Sequence, residues 1–312
     1  WDNNNPTGLN VSGNKSTGLS DSVGGGGFLY NTGDAALSFF QVSNNTAYGN
    51  GGAIYSESGN LSLTGMSFID NHTTAKGNGG AVYALNTNVT INSSRFGHNG
   101  TKNTDKEGRI IDKGGALYFS GSSNLTIQGE LTASGNSYQK INTFFYDNQA
   151  SRGGAVYIES NGGTVSISNT TASGNIGRYS NADGNYDESA AYVSQGAGLW
   201  IGGSSSNRIT LENVTVVGNQ QISSGLTWGG GLYVENVGLN LINTTFYENT
   251  ANHGSALYIN DADVSIVNST VAYNTATDKL HLGAGGGGIF VTGFDSQVKI
   301  LNSPAAVSFT ES

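Results

Sequence analysis

The sequence contains no cysteine, and it has only two prolines. The absence of cysteine excludes disulfide bonds and thiolate metal sites and leaves the redox compartment open. Basic residues are also scarce. The chain has 13 lysines and arginines and 22 acidic residues, which give a formal net charge of −9. A protein that follows nucleic-acid phosphates needs a basic stripe. We therefore expect no nucleic-acid partner.

Long hydrophobic runs are missing as well. Few apolar runs exceed five residues, so the sequence predicts no transmembrane helix. The sequence begins at Trp1, without an initiator methionine or a basic segment that leads into an apolar one. We therefore expect a mature chain or a fragment whose export signal has been removed or was never included.

Glycine, by contrast, is abundant, with 48 residues, and it recurs in small-residue triplets at a spacing typical of solenoid proteins. The triplets are Gly51-Gly52-Ala53, Gly79-Gly80-Ala81, Gly114-Gly115-Ala116, Gly153-Gly154-Ala155, Gly196-Ala197-Gly198, Gly229-Gly230-Gly231 and Gly254-Ser255-Ala256. A strand pattern rich in β-branched and aromatic residues follows each triplet, as in Val156-Tyr157-Ile158. A second strand pattern then alternates apolar and hydroxyl residues, as in Val165-Ser166-Ile167. That alternation indicates one buried and one exposed face.

A third element carries an apolar residue three positions before an asparagine, as in Phe68 to Asn71. Stacked asparagines can satisfy the backbone groups of a turn and bond from coil to coil, so we predict a structural asparagine ladder. Its members are Asn71, Asn99, Asn148, Asn175, Asn219, Asn249 and Asn274. Three strands and three corners per unit predict an all-β parallel β-helix of about ten to twelve coils. We place it at residues 24–312 as one domain, after an Asn-, Ser- and Gly-rich extension at residues 1–23.

The alternation of Gly-Gly-Ala-apolar-Tyr with Phe-x-x-Asn resembles the repeats of the polymorphic outer membrane proteins best known from chlamydiae. The resemblance covers roughly residues 24 to 300. It implies a right-handed parallel β-helix exposed at a cell surface, commonly the passenger part of an autotransporter. It also implies adhesive or structural roles and no enzyme activity.

Three inserts break the period, near residues 100–113, 128–142 and 176–195. Loops on a rigid scaffold often carry binding sites, although a simple solvated excursion is the alternative. In the third insert, Asp183, Asn185 and Asp187 are spaced as at the start of a calcium loop. Glu188 and Ser194 stand where such a loop needs Gly and Glu. Calcium is therefore a weak candidate, and we expect no other cofactor.

Asn-x-Ser/Thr tripeptides are numerous, and they leave N-linked glycans open as a modification. The candidate acceptors are Asn10, Asn14, Asn44, Asn60, Asn88, Asn92, Asn124, Asn169, Asn213, Asn243 and Asn268. Asn71 and Asn99 also fit the tripeptide, but we expect them to be structural. Asn169, Asn213, Asn243 and Asn268 recur just after the second strand, near a corner where a glycan could project.

Support for catalysis is thin. A β-helix enzyme that acts on polysaccharides needs two or three carboxylates on neighbouring coils. The closest pair outside the inserts, Asp261 and Asp263, has no matching pair on the adjoining coils. His72, His98, His253 and His281 share no ligand or triad spacing. The tyrosines after the triplets either form an outer ridge for glycans or partner proteins, or belong to the core.

We therefore predict a non-catalytic extracellular or cell-surface protein. It is expected to act as a structural subunit of a filament or surface coat, or as an adhesin-type passenger. The alternative is a carbohydrate-active β-helix enzyme, either a polysaccharide lyase or a glycoside hydrolase. Partners would be other copies of the chain, associating end to end because no capping segment is recognisable, or a host or cell-surface protein or glycan.

Overall fold

The computed structural model describes residues 9–17, 25–73, 77–101, 113–134, 137–178, 194–204, 208–222, 225–277 and 285–301. These residues form strands and turns and no helix. The described part of the chain therefore contains no helix that could cross a membrane. Four parallel sheets of nine strands each run side by side. Successive strands along the chain fall in successive sheets, so each coil gives one strand to each sheet. This is a parallel β-helix, which confirms the predicted fold class.

We number the sheets in the order that follows a glycine triplet. Sheet 1 comprises Leu29–Asn31, Ile54–Glu57, Val82–Leu85, Leu117–Gly121, Val156–Ser160, Leu199–Gly203, Leu232–Glu235, Leu257–Asn260 and Ile289–Thr292. Sheet 2 comprises Ala35–Ser38, Asn60–Thr64, Asn88–Asn92, Leu125–Gln128, Val165–Ser168, Arg208–Glu212, Gly238–Ile242, Asp263–Val267 and Gln297–Leu301.

Sheet 3 contains the strands that end just before the ladder asparagines, and sheet 4 contains the short strands just after them. Sheet 3 comprises Asn10–Ser12, Gln41–Ser43, Ser67–Ile69, Arg95–Gly97, Thr143–Tyr146, Thr170–Ser173, Thr215–Val217, Thr245–Tyr247 and Thr270–Ala272. Sheet 4 comprises Lys15–Ser16, Thr46–Ala47, His72–Thr73, Gly100–Thr101, Gln149–Ala150, Ile176–Gly177, Gln220–Gln221, Thr250–Ala251 and Thr275–Ala276.

Two further sheets, of two strands each, are separate from these four sheets. Glu130–Ser134 and Ser137–Ile141 form an antiparallel hairpin within the second predicted insert. Ser194–Gln195 and Thr227–Trp228 form a parallel pair. The other two predicted inserts lie largely outside the described residues, which exclude 102–112 and 179–193.

The details of the coil differ from the sequence-based prediction. Each coil has four strands instead of three. The strand in sheet 4 was missed in the sequence because it has only two residues and shows no alternation. The described residues form nine rungs per sheet, fewer than the ten to twelve coils expected. Inserts account for the difference, since the spacing between ladder asparagines ranges from 25 residues to 49.

The periodic part also begins earlier than residue 24, where the sequence analysis placed its start. Asn10–Ser12 pairs in parallel with Gln41–Ser43, and Lys15–Ser16 pairs with Thr46–Ala47. Part of the predicted extension therefore supplies the first rung of sheets 3 and 4. These strands were missed because only Val11 carries an apolar signal there.

The bore of the helix is filled by one apolar cluster from sheets 1, 2 and 3. In sheet 3 the inward residues form one line, in which the rings of Phe68, Phe96 and Phe145 stack at centroid distances of 4.9 and 4.8 Å. All three are fully buried. Burial of one such ring contributes about 1.5–3 kcal/mol to folding, so the bore supplies much of the stabilisation.

The glycines of a triplet have two different roles. Gly79 adopts a left-handed φ of 68°, which glycine tolerates best. Gly80 lies against the neighbouring coil, where an added Cβ would fall 2.1 Å from the carbonyl oxygen of Gly115. At Gly80 only hydrogen fits, so the backbones of neighbouring coils approach closely there.

Candidate functional surfaces of the rod

The seven asparagines predicted for the ladder occupy one buried line between sheets 3 and 4. All but the last repeat one pattern, as at Asn71, whose backbone N and Nδ2 both donate to Oδ1 of Asn99 at 3.0 Å. The second hydrogen of Nδ2 is donated to the carbonyl of Val42 at 2.9 Å. The last, Asn274, donates through Nδ2 to the carbonyls of Phe246 and Ala272. Each amide is thereby satisfied within the protein, which makes the ladder structural.

The ladder also extends beyond its predicted members. Asn45 donates through Nδ2 to Oδ1 of Asn71, and Asn14 donates in the same way to Oδ1 of Asn45. Asn45 is a recognisable degenerate copy of the signature. Asn14 was missed as a ladder residue although Val11 stands three positions before it.

The residue just before each ladder asparagine forms an outward corner row with left-handed backbone. Its non-glycine members are Asn44, Asp70, His98, Asp147, Glu248 and Tyr273, with φ between 52° and 56°. The row brings Asp70, His98 and Asp147 onto three successive coils. His98 Nε2 lies 4.0 Å from Asp147 Oδ2, and both side chains are about half exposed, at 52% and 51%. Sequence reasoning missed this grouping because it depends on the coil register.

The tyrosines after the triplets form a continuous aromatic column on the outer face of sheet 1. Its members, in order, are Tyr30, Tyr55, Tyr83, Tyr118, Tyr157, Trp200, Tyr233, Tyr258 and Phe290. Neighbouring rings stack with centroids between 4.1 and 6.1 Å apart. The column lies on the opposite face from the bore, yet Tyr83 and Tyr118 are only 8% exposed. From Tyr83 to Tyr258 the column is therefore neither an open ridge nor part of the bore, whereas Tyr30 is 56% exposed.

Charged and polar groups border this column. The hydroxyl of Tyr233 donates to Glu235 Oε2 at 2.8 Å, and that of Tyr55 donates to Glu57 Oε2 at 2.9 Å. Burial, and then the bond to Glu57, raise the pKa of Tyr55 to about 12. Lys113 Nζ lies 4.6 Å from the ring centroid of Tyr157, and burial lowers the pKa of this lysine. These contacts fit a structural spine whose tyrosines stay protonated at neutral pH.

The outward carboxylates of sheet 1 bear on the enzyme alternative. Glu159 and Glu235 lie in one line of the sheet, with Gly202 on the coil between them. The ring of Trp200 fills the space above Gly202, because an added Cβ there would fall 2.5 Å from Trp200 Cη2. Asp263 is paired with Arg208 at 3.3 Å. Among the described residues, no group of three or more His, Asp or Glu side chains is arranged to hold a metal ion.

Four of the candidate glycan acceptors fall in one row, at the corner between sheets 2 and 3. Asn169, Asn213, Asn243 and Asn268 all have left-handed φ, between 47° and 55°. The hydroxyl residues two positions later, Thr171, Thr215, Thr245 and Thr270, align on the outer face of sheet 3. Asn243 and Asn268 are exposed, whereas Asn169 donates through Nδ2 to the carbonyl of Gly129.

The remaining acceptors have varied surroundings. Asn60, Asn88 and Asn124 form an exposed chain, in which Asn88 Nδ2 donates to Asn60 Oδ1 at 3.1 Å. Asn92 holds its Oδ1 buried without a partner. Asn10 and Asn44 are exposed. The calcium candidates Asp183, Asn185 and Asp187 lie outside the described residues.

No curated protein and no solved structure matches the chain significantly. The family model of the Chlamydia polymorphic membrane protein repeat matches residues 40–57. This segment spans ladder residue Asn45, the triplet at Gly51 and the sheet 1 strand that follows it. The chain thus carries a repeat of the Chlamydia polymorphic membrane protein type, as its Gly-Gly-Ala and apolar-x-x-Asn signatures predicted, and this repeat points to an outer-membrane or cell-surface protein.

Proposed function

We propose that the chain is a non-catalytic extracellular protein that forms a rigid rod at a cell surface and acts as an adhesin-type passenger. The observation that carries this proposal is the contrast between the inside and the outside of the rod. The asparagine ladder and the bore repeat from coil to coil, whereas the corner row and the hairpin at 130–141 differ between coils. A constant interior with a variable exterior suits the display of binding groups. The repeat match at residues 40–57 supports a surface location.

Adhesion is tested with beads coated with the purified chain and applied to cultured epithelial cells. Beads coated at equal density with serum albumin are the control. We expect the chain-coated beads to be retained and the control beads to be washed off. Equal retention of both bead types would overturn the adhesin role.

A structural subunit of a filament or coat is the second role that we propose for the same rod. Sedimentation velocity and electron microscopy of the chain at high concentration test it. Rods that lengthen by whole multiples as concentration rises are the expected result for a filament subunit. A single sedimenting monomer at all concentrations would remove this role and leave the adhesin role untouched.

The enzyme alternative has one geometric feature in its favour, the line of Glu159 and Glu235 two rungs apart, a separation of about 9.6 Å between strands. We regard Trp200 as a structural filling of this gap and propose no catalysis. Release of reducing or unsaturated sugars from acidic polysaccharides is the direct assay, with Glu159→Gln and Glu235→Gln as matched variants. Product that appears with the natural chain and disappears with either variant would overturn the non-catalytic proposal.

A further inference from the structure

Tyr146 lies flat on the outer face of sheet 3. Its strand pairs with Arg95–Gly97, so that Tyr146 stands directly opposite Gly97. A Cβ added to Gly97 would fall 2.2 Å from Tyr146 Cζ and 2.5 Å from both Cε2 and Oη. Nearly equal distances to these three atoms place that Cβ over the face of the ring. One face of the ring therefore covers Gly97, and the other face is turned away from the sheet.

Basic and acidic side chains surround this ring. His98 packs edge-on against it, with centroids 5.5 Å apart and an interplanar angle of 84°. His98 and Asp147 form the exposed corner pair. Burial raises the pKa of Tyr146, the charge of Arg95 lowers it, and the charges of Asp147 and Asp70 raise it. The guanidinium carbon of Arg95 lies 5.8 Å from the ring centroid of Phe144.

The strand that carries Tyr146 follows directly after the hairpin. Its second strand, Ser137–Ile141, ends two residues before the strand Thr143–Tyr146 begins. The half-buried ring of Phe144 therefore lies next to a segment that leaves the corner between sheets 2 and 3, and Tyr146 lies two residues farther along the same strand. Sites of recognition commonly combine such a projection with a rigid sheet.

We infer that Tyr146, with Arg95, His98, Asp70 and Asp147 around it, forms a binding platform for a neutral glycan. A pyranose ring presents a face of C–H groups that suits an outward aromatic face, and its edges carry hydroxyl groups that both donate and accept. Arg95 supplies donors on one side, and the carboxylates of Asp70 and Asp147 supply acceptors on the other. This mixture of charges favours a neutral ligand over an anion or a cation. The inference rests on the proposed adhesin function for its biological meaning.

Two other outward aromatic groups in the described part of the chain lack this combination. The aromatic column of sheet 1 is covered from Tyr83 to Tyr258, with Tyr157 only 2% exposed. Tyr247 occupies the same line of sheet 3 as Tyr146, but Val217 stands opposite it on the preceding coil in place of glycine. Tyr247 therefore provides a matched control, because it is a half-buried outward tyrosine in the same line of the same sheet.

The test uses the whole chain and a printed array of neutral and sialylated oligosaccharides. We expect the natural chain to bind neutral members of the array. Tyr146→Ala should weaken that binding by about tenfold, the loss expected for one aromatic contact. Gly97→Ala should weaken it similarly, because the new methyl group tilts the ring while leaving the tyrosine in place. Tyr247→Ala should bind as the natural chain does.

Thermal melting of each variant separates binding from folding. If the ring only covers Gly97, Tyr146→Ala lowers the melting temperature while glycan binding is absent or unchanged, and the inference is overturned. It is also overturned if Tyr247→Ala loses as much binding as Tyr146→Ala. Beads that adhere to cells although the array shows no glycan bound would overturn the glycan platform and leave the adhesin role standing.

Discussion

Asn99 and Asn148 are 49 positions apart in the chain, yet Asn99 Nδ2 donates a 3.0 Å hydrogen bond to Oδ1 of Asn148. The intervening coil contains the hairpin at 130–141, together with residues 102–112 outside the described part of the chain. The same geometry joins Asn249 to Asn274 across 25 positions. The internal ladder is therefore independent of the length of the coil that closes it.

Substitution of Asn148 by alanine should destabilise the rod by about 1–3 kcal/mol, because it removes the acceptor of two buried donors of Asn99, the backbone N and Nδ2. Denaturant unfolding followed by circular dichroism measures the change. Gln220→Ala, at an exposed position of sheet 4, is the control and should stay within about 0.5 kcal/mol of the natural chain. Equal losses for the two variants would contradict the structural role of the ladder.

Gly80→Val should destabilise the rod by at least about 3 kcal/mol or prevent folding, since a Cβ at this position meets the carbonyl oxygen of Gly115 at 2.1 Å. Gly33 offers a matched control, because an added Cβ there has nothing within 4 Å. Gly33→Ala should leave the melting temperature nearly unchanged. A Gly80→Val variant that melts like the natural chain would show that the coils are not in close contact at the triplets.

Alkaline pH should destabilise the rod through the aromatic column. Burial raises the pKa of Tyr55 to about 12 and raises those of Tyr83, Tyr157 and Tyr233 further, from an ordinary value of 10.0. Above pH 10 the unfolded chain therefore loses tyrosine protons that the folded chain keeps. The unfolded state binds fewer protons, so the free energy of unfolding falls as the pH rises from about 10 toward 12 and beyond.

Equilibrium unfolding at a series of pH values, with tyrosinate absorbance at 295 nm, would check this. We expect tyrosinate to appear together with unfolding. Lys113 acts in the opposite direction, because burial lowers its pKa, but it is one group against several tyrosines. Tyr83→Phe should reduce the alkaline loss of stability. A flat stability profile from pH 9 to pH 12 would contradict the burial of the column.

Glycan occupancy should separate the ladder asparagines from the acceptors at the corner between sheets 2 and 3. After passage through a eukaryotic secretory pathway, we expect the folded fraction to carry glycans at exposed Asn268 and none at Asn71 or Asn99. Both Nδ2 hydrogens of Asn71 and Asn99 are used in buried bonds, so a glycan there is incompatible with the coil. Glycopeptide mass spectrometry of the folded fraction provides the measurement. A glycan on Asn71 in folded protein would be inconsistent with this structure.

The parallel β-helix and the ladder could be predicted because their signals are short, periodic and local, as at Phe68 and Asn71. The two-residue strands of sheet 4 could not, since His72–Thr73 is too short to show a period. The burial of Tyr157 on an outer face depends on cover from other segments, including Lys113, which precedes a different triplet. The placement of Tyr146 over Gly97 depends on where the chain returns after the hairpin. No window of the sequence contains that information.

Since the coil that holds the hairpin keeps the same ladder bond as the shortest coil, the axial rise per coil does not depend on what protrudes from a corner. Foreign peptides could be grafted in place of residues 130–141 without altering the shaft.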